Sequence, residues 1–437
     1  MLHHQYAVQA VQVVQVKGPR AIEGRVKLHL TDMAHGGAAL GRHKGKVVFV
    51  PYAIPGEEVL VELVEDKGRY ARGRLVEVLS PSAQRVSPPC PHFGSQATVA
   101  ALGCGGCHWQ HIAYEAQWEL KRRIVQDQLK RIGRFESVSV KPTIGSPEPW
   151  RYRNHVQFAL DEHGRLGFMA AESQRVVPIE ECHVMHPLLD EVFGALDLEL
   201  PELKRLSLRC GVNTGQRMVV FETHEDEPFE LEVDLPVSCV FLLSDGRTAT
   251  LIGHEYISEI LAGQKYRISA SSFFQVNTSQ AEELVRLVRD YLAPTGSEVL
   301  LDAYCGVGVF GLSLAGEVGQ VIGVEENPSA VADARFNAGS ADNVEFVVGR
   351  VEEVLPPLGI PIDLAVLDPP RQGCASDVLT ALAELAPAKI VYVSCDPATL
   401  ARDTRQLAQA GYQLVEVQPV DMFPQTYHIE IVALLKR

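Results

Sequence analysis

The sequence predicts a multidomain protein in which a small β-barrel, a mixed α+β domain and a doubly wound α/β domain follow one another. Its 437 residues are enough for roughly two to four domains. Short strand-like runs fill the region from residue 24 to 79, and strand and helix patterns alternate from residue 278 onward. We divide the chain into four predicted regions, namely an N-terminal extension (1–19), a barrel (20–82), a central domain (83–270) and an α/β domain (271–437).

The composition is that of a folded globular protein, with 46% hydrophobic and 22% charged residues. No uncharged apolar run is long enough to span a membrane, and the first 20 residues lack the pattern of a secretory signal. Nine cysteines are an odd number for a disulfide framework in so long a chain. Reduced thiols, some of them ligands or nucleophiles, fit better. We therefore expect a cytoplasmic monomer with no membrane partner.

The net charge of −15 is unevenly distributed along the chain. Residues 1–160 carry 21 Lys and Arg against 13 Asp and Glu, whereas the remaining 277 residues carry 19 against 42. A basic front part suits a protein that binds a polyanion such as nucleic acid. The acidic residues 161–437 are expected to have a function other than binding the polyanion.

The barrel is predicted from alternating strands in a segment too short for a β-sandwich. The strand-like runs are Arg25–Leu30, Lys46–Val50, Glu58–Val64 and Tyr70–Leu79. Turn residues such as Pro55-Gly56 separate them, which favours a five-stranded barrel of the OB type. The pattern of four segments resembles a TRAM domain, an RNA-binding barrel, namely Leu28–Gly41, Val47–Pro51, Pro55-Gly56-Glu57 and Arg72-Gly73-Arg74. One face would carry basic residues that track phosphates, namely Arg42, Lys44, Lys46, Lys67, Arg69, Arg72 and Arg74.

The α/β domain is predicted from strands and helices that alternate from Ser279 to the end of the chain. Such βαβ units require parallel strands with helices on both faces, so we expect a Rossmann-like sheet. In the central domain a basic helix is predicted over Tyr114–Ile132, followed mainly by strand signals whose topology the sequence does not indicate.

A cofactor site is predicted at the first turn of this sheet. Gly306 and Gly308 lie directly after the first strand and allow close approach of a ligand to the backbone. Glu325 ends the second strand, where ribose hydroxyls would lie. These two features also describe NAD enzymes. Asp368-Pro369-Pro370-Arg371 after the fourth strand is typical of S-adenosylmethionine methyltransferases that act on nucleobases, and it favours that cofactor.

A nucleophile and a base are predicted at the carboxyl edge of the sheet, where active sites of open α/β sheets form. Cys395 follows the fifth strand, and Glu430 opens the last one. Carbon 5 of uracil is too weakly nucleophilic to take a methyl group directly. A thiolate that adds to carbon 6 would activate it, and a base must then remove the proton from carbon 5.

Five ordered segments resemble the RNA uracil-5-methyltransferase family, and with the barrel and the cysteines the resemblance spans about residues 20–437. They are Phe273–Asn277, Asp302–Phe310, Asp368–Gly373, Ser394–Pro397 and Met422–Glu430. The resemblance implies that Cys395 is the nucleophile and Glu430 the proton acceptor. It also implies that Gln275, Tyr304, Glu325 and Asp368 contact S-adenosylmethionine. The implied substrate is RNA, with 23S rRNA preferred and tRNA as the alternative.

A cysteine group precedes and follows the predicted basic helix. Its members are Cys90, Cys104, Cys107 and Cys182. Four thiols can hold zinc or an iron–sulfur cluster. Structural zinc usually uses two paired knuckles, and here only Cys104-Gly-Gly-Cys107 is paired, which favours a cluster. The family branch that acts on 23S rRNA carries a 4Fe–4S cluster on four such cysteines. In this chain an insertion near 95–102 lengthens the first spacing.

Three rival functions are compatible with parts of the sequence. A base-amine RNA methyltransferase would share the cofactor fold but leave Cys395 and Glu430 without a role. A radical methylthiotransferase also combines a TRAM barrel with a cluster, but it needs a Cys-x3-Cys-x2-Cys triad, which is absent from the sequence. A non-enzymatic RNA-binding assembly factor would bind RNA without transferring a methyl group.

Overall fold

The computed structural model describes residues 24–94, 103–171, 173–198, 200–227 and 229–437. The predicted extension, the first residues of the predicted barrel and the insertion at 95–102 lie outside the described residues. The described chain forms two compact units. One contains residues 24–34 and 38–83, and the other contains residues 35–37 and 84–437.

The smaller unit is a closed five-stranded barrel, as predicted. Its strands are β1 (Arg25–Met33), β2 (Ala39–His43), β3 (Lys46–Val50), β4 (Glu58–Asp66) and β5 (Tyr70–Ser80). They are hydrogen-bonded in the order β1-β2-β3-β5-β4. Alternate side chains such as Leu28 and Leu30 fill the interior. Gly73 is required by packing, because a Cβ there would lie 2.2 Å from Cγ1 of Val61.

The second unit begins with a long helix and a seven-stranded sheet. The elements are α1 (Tyr114–Gln128), which continues as a π-helical turn (Leu129–Gly133), β6 (Ser139–Val140), β7 (His155–Leu160), β8 (Leu166–Met169), β9 (Val176–Pro178), α2 (Pro187–Gly194), β10 (Leu203–Cys210), β11 (Arg217–Thr223), β12 (Ser238–Leu242) and β13 (Thr248–Ile252). The strand order is β13-β12-β11-β10-β7-β8-β9. One face packs on α2 and a core that includes Phe158, Leu206 and Phe221.

A hairpin and a helix connect this sheet to the C-terminal one, namely β14 (Tyr256–Leu261), β15 (Gln264–Ser269) and α3 (Thr278–Leu292). The α/β elements then follow in alternation: β16 (Val299–Ala303), α4 (Val309–Leu314) with a 3-10 turn (Ala315–Glu317), β17 (Gln320–Glu325), α5 (Pro328–Ala338), β18 (Val344–Val348), α6 (Val351–Val354), β19 (Leu364–Leu367), α7 (Ser376–Leu385), β20 (Lys389–Ser394), α8 (Pro397–Gln409), β21 (Gln413–Val420) and β22 (Glu430–Lys436). The predicted Rossmann-like sheet is confirmed.

The C-terminal sheet has eight strands in the order β18-β17-β16-β19-β20-β22-β21-β6. Strands β16 to β20 are parallel, and all but the outer strand β18 are almost wholly buried, as expected inside a parallel sheet. Strand β22 runs antiparallel to β20. The carboxyl end of β20 and the amino end of β22 therefore meet at one edge of the sheet. Strand β6, which precedes the seven-stranded sheet in the chain, pairs with β21 at the border.

Among the described residues, none of the helices has the length and apolar character needed to cross a membrane.

Candidate active site

The loop between β16 and α4 is a tight turn with an open face. Tyr304, Gly306 and Gly308 have φ angles of 64°, 54° and 86°, in the left-handed region that favours glycine. Tyr304 is not glycine, so its backbone stores strain, a feature that collects at functional sites. A Cβ on Gly306 would meet nothing within 4 Å, so that side of the loop is open space.

Two carboxylates, those of Asp302 and Glu325, accept hydrogen bonds from backbone N–H groups of the loop and the helix that follows it. Asp302 is fully buried, and its Oδ2 accepts a hydrogen bond from the Gly311 N–H at 2.7 Å. Glu325, at the end of β17, accepts from the Gly306 N–H at 3.1 Å and from the Asn327 N–H at 2.8 Å. The Glu325 carboxylate is thus fixed against the turn, with acceptor capacity left for a hydroxyl-bearing ligand.

A third carboxyl group, that of Asp368, follows β19 at the same edge. The Gln275 amide Nε2 lies 3.5 Å from Asp368 Oδ2, and the Asp368 N–H donates to the Ala303 carbonyl at 3.3 Å. Burial raises the pKa of Asp368 to about 7, and the carboxylates of Asp302 and Glu325 act in the same direction. An edge with three neighbouring carboxyl groups favours a cationic ligand.

Cys395 and Glu430 lie at the neighbouring ends of two paired strands. The β20–β22 ladder ends with Ser394 opposite Ile431, so Cys395 directly follows β20 where Glu430 begins β22. Asp396 caps α8 by accepting from the N–H groups of Ala398 and Thr399, both at 2.9 Å. This cap fixes the turn that carries Cys395.

The electrostatics of this pair suit a buried acid–base site. Burial raises the pKa of the Cys395 thiol to about 12, with the carboxylates of Glu430 and Asp368 adding to the effect, whereas Arg371 lowers it. Burial, together with Asp368, also holds the pKa of Glu430 well above its usual range. The Oε1 atom of Glu430 is buried and has no hydrogen-bond partner among the described residues. A carboxyl group left unpaired in this way is available to a substrate.

A cavity of about 230 Å³ opens beside the Cys395 thiol. His35, Gly36, Arg371, Cys395, Asp396, Pro397, Tyr427, His428 and Ile429 line it. The His35 Nε2 lies 3.4 Å from Asp396 Oδ2. The lining surrounds the Cys395 thiol with an aromatic ring, imidazoles and a guanidinium, groups that can stack on or hydrogen-bond to an unstacked nucleobase.

A second cavity, of about 340 Å³, contains all four predicted metal-ligating cysteines in its lining. Cys107 is buried, and Cys90, Cys104 and Cys182 are half-buried. The Gly106 N–H points at Cys104 Sγ at 3.4 Å. All nine cysteines are free thiols. No three His, Cys, Asp or Glu side chains within the described residues are arranged to hold a single metal ion.

The predicted basic face of the barrel is interleaved with carboxylates. Lys46 forms an ion pair with Asp66 at 2.7 Å, Lys67 pairs with Glu65, and Arg74 pairs with Glu62. Such exposed pairs contribute little to stability and are easily exchanged for other anions. Phosphates can therefore compete for these basic side chains.

The sequence singles out Cys395 and Glu430, but it assigns no role to Arg371 or His428. Both residues line both cavities, so they form a wall shared by the Cys395 pocket and the cysteine cavity. Burial lowers the pKa of His428 to about 3, and that of His108 in the cysteine cavity to about 4. The only sequence signal for Arg371 and His428 was their position inside two of the five motifs.

Comparisons with known proteins relate the chain to RNA methyltransferases. A TRAM domain model matches residues 23–76, and a tRNA (uracil-5-)-methyltransferase model matches residues 239–356 and 361–437. An uncharacterized RNA methyltransferase of Thermosynechococcus vestitus is 38% identical over 94% of this chain and 97% of its own length. Another, from Halalkalibacterium halodurans, is 38% identical over 94% and 96%.

One solved structure is similar over nearly the whole chain. It is the Pyrococcus abyssi tRNA (uracil-54, C5)-methyltransferase in complex with S-adenosyl-L-homocysteine, which is 31% identical with a TM-score of 0.73. The likeness covers 94% of this chain and 100% of that one.

The barrel and the Rossmann-like sheet thus define an RNA-binding methyltransferase. The chain belongs to the RNA uracil-5-methyltransferase family, and it uses S-adenosylmethionine to methylate carbon 5 of uracil in RNA. The predicted family, the predicted use of S-adenosylmethionine and the predicted class of enzyme are confirmed.

Proposed function

We propose that this enzyme methylates one uridine of 23S rRNA, with Cys395 as the nucleophile and Glu430 as the proton acceptor. The observation that supports the proposal is the proximity of the Cys395 thiol to the buried Glu430 carboxyl group, whose Oε1 has no hydrogen-bond partner among the described residues. The nine free thiols fit a reducing compartment, so we place the enzyme in the cytoplasm, where it acts as a monomer.

In the first step the Cys395 thiolate adds to carbon 6 of the uracil, and the electron pair of the 5,6 double bond moves into an enolate. Burial opposes formation of the thiolate, and the nearby Arg371 guanidinium favours it. Bound S-adenosylmethionine would supply an electrophilic methyl group to carbon 5, and S-adenosylhomocysteine would be the leaving group. Glu430 then takes the proton from carbon 5, the double bond re-forms, and the thiolate leaves from carbon 6.

The cofactor would be held at the edge formed by β16, β17 and β19. Glu325 would accept hydrogen bonds from the ribose hydroxyls, and Tyr304 would lie beside the adenosine at the strained turn. Gln275 and Asp368, which lie within 3.5 Å of each other, would face the cationic end of the cofactor, and Asp368 also the uracil. The donor set fits, since this edge concentrates carboxyl groups and the cofactor is a cation.

Two substrate classes compete, and different observations favour each. The cavity with four cysteines favours 23S rRNA, because four such cysteines are a feature of the family branch that acts on that RNA. The likeness to the Pyrococcus abyssi enzyme favours tRNA, because that protein methylates tRNA according to its description. Both readings use the same barrel and the same catalytic residues.

Methyl transfer to unmodified transcripts of 23S rRNA and of tRNA distinguishes the two substrates. With equal RNA concentrations and labelled S-adenosylmethionine, we expect incorporation of one methyl group per 23S rRNA and none above background in tRNA. Methylation confined to tRNA would replace the rRNA proposal by the tRNA one. Because phosphate contacts weaken with salt, both arms are run at the same ionic strength.

The cysteine cavity fits a 4Fe–4S cluster, which we propose is held by Cys90, Cys104, Cys107 and Cys182. Four thiols are the ligand set that iron–sulfur clusters use, and all four line this cavity. A cluster separates its thiolates farther than one zinc ion does, and a cavity of about 340 Å³ between the thiols leaves room for one. Gly105 leaves no room for a side chain, because a Cβ would lie 2.8 Å from the Met169 carbonyl. The cluster would have a structural role.

Iron content tests this proposal. Protein purified without oxygen should contain about four iron atoms per chain. Cys182→Ala should lose most of this iron, whereas Cys239→Ala, a buried thiol outside the cavity, should retain it. About one zinc per chain and no visible absorption would contradict the cluster and favour the zinc alternative.

A further inference from the structure

The connecting segment, residues 421–429, links β21 to β22 and ends at the proposed base. It also supplies Tyr427 and His428 to the wall of the Cys395 pocket. The segment contains no helix or strand, and much of it is buried. Gln425 has a φ of 67°, which non-glycine residues rarely adopt. Contacts from other elements must therefore impose the shape of this segment.

The first such contact is a buried ion pair between α1 and the start of the connecting segment. Lys121 Nζ lies 2.5 Å from Asp421 Oδ1, and both side chains are 0% exposed. The same ammonium group donates to the Phe423 carbonyl at 3.1 Å. A fully buried pair adds little net stability, because both charges lose their hydration. Its clearest effect is to fix one geometry of the chain that carries Asp421.

The second contact is a pair of amide side chains. Gln117 Nε2 donates to Gln425 Oε1 at 3.0 Å, and the Gln425 N–H donates to Gln117 Oε1 at 3.1 Å. Gln117 also donates to the carbonyls of Trp109 and Ile112. The buried side chain of Gln117 thus hydrogen-bonds both to Gln425, the residue with the positive φ, and to the turn that precedes α1.

Further hydrogen bonds complete the enclosure of the connecting segment. The N–H groups of His108 and Trp109 both donate to the Gln425 carbonyl at 2.9 Å, and Tyr152 Oη donates to the Pro424 carbonyl at 3.0 Å. Gln117 and Lys121 are four residues apart on one face of α1. Unlike the backbone N–H groups of His108 and Trp109, they contact the connecting segment through side chains, which substitution can remove.

We propose that Gln117 and Lys121 are positioning residues for the methylation reaction. They fix the conformation of the connecting segment. The segment in turn positions the uracil beside Glu430 for removal of the proton from carbon 5. The inference rests on the proposed role of Glu430. Neither residue touches the reacting atoms, and both lie on a helix that precedes the α/β domain by more than 100 residues of sequence.

The test compares two quantities on 23S rRNA labelled with tritium at carbon 5 of uracil, namely methyl groups transferred and tritium released. The variants are Gln117→Met, Lys121→Met and the paired Lys121→Met/Asp421→Asn, which leaves no unpaired charge. Arg123→Met, an exposed position of α1, is the matched control. Binding of S-adenosylhomocysteine reports the folded fraction of each protein, and Glu430→Gln is the reference for loss of the base.

We expect kcat to fall about 100-fold in Gln117→Met, since small misplacements near a reacting centre have effects of this size. The KM for RNA should stay near the wild-type value. Methyl groups should exceed released tritium, and the excess should remain in a denaturation-resistant protein–RNA adduct. Arg123→Met should match the wild type in all readouts.

Two other outcomes are decisive. If tritium and methyl stay equal in all the Gln117 and Lys121 variants, and activity follows the folded fraction, the two residues are only structural and the inference fails. If Glu430→Gln gives no adduct, the proposed role of Glu430 is wrong, and the positioning role that rests on it is wrong as well. An adduct in Glu430→Gln but in none of the α1 variants overturns the positioning role alone.

Discussion

Replacing Cys395 by alanine should abolish methyl transfer, with a fall in kcat of about 10⁴-fold or more, the range for loss of a catalytic nucleophile. The reason is chemical, since carbon 5 of uracil cannot attack a methyl donor until carbon 6 carries a nucleophile. Cys395 lines the pocket, and none of the residues proposed to hold the cofactor does, so its replacement should leave the cofactor edge intact. The measurement is tritium release together with methyl incorporation.

The control for this loss is Cys239→Ala, a buried thiol of strand β12 that is remote from the pocket lining. It should retain activity near the wild-type level. S-Adenosylhomocysteine binding should be unchanged in Cys395→Ala. Turnover by Cys395→Ala within about tenfold of the wild type would exclude covalent catalysis and favour a base-amine methyltransferase.

Glu430→Gln should produce the opposite signature, a covalent intermediate that forms but does not resolve. The substitution keeps the shape of the side chain and removes its capacity to accept a proton. Addition by Cys395 and methyl transfer precede proton removal, so the methylated uracil should remain bonded to the protein. We expect a protein–RNA adduct that survives denaturation, contains the methyl group and retains its tritium.

The matched control is Glu345→Gln, an exposed carboxylate of strand β18, which should turn over normally. Because Glu430 is 2% exposed and its pKa lies above the usual range, the amide also removes a buried ionisable group. Folding should therefore be retained. Normal tritium release by Glu430→Gln would assign proton removal to another group, with Asp368 the nearest carboxyl group in the site.

The barrel and the α/β sheet could be predicted because their signals are local. Alternation over β4 and β5, and βαβ alternation after residue 278, follow from burial on one or both faces of a sheet. Strand β2 was not among the predicted strands, since its five residues include Gly41 and Arg42 and show little alternation. Its existence depends on partners on both sides, which only the closed barrel supplies.

The central region and the wall of the pocket depend on contacts that a single sequence does not indicate. Helix α2 was missed among strand signals, although Pro187 follows the capping residue His186, a typical helix start. The two residues of β6 become a strand only beside β21. Lys121 and Asp421 are 300 positions apart, and no periodicity in either segment links them.

The measurement that tests the account most directly is the ratio of methyl transfer to tritium release by the wild-type enzyme. It uses 23S rRNA labelled at carbon 5 of uracil, with and without S-adenosylmethionine. The account predicts one tritium released for each methyl group transferred, and no methylation without the cofactor. Methyl transfer with the tritium retained would place the methyl group elsewhere on the RNA and contradict attack by carbon 5.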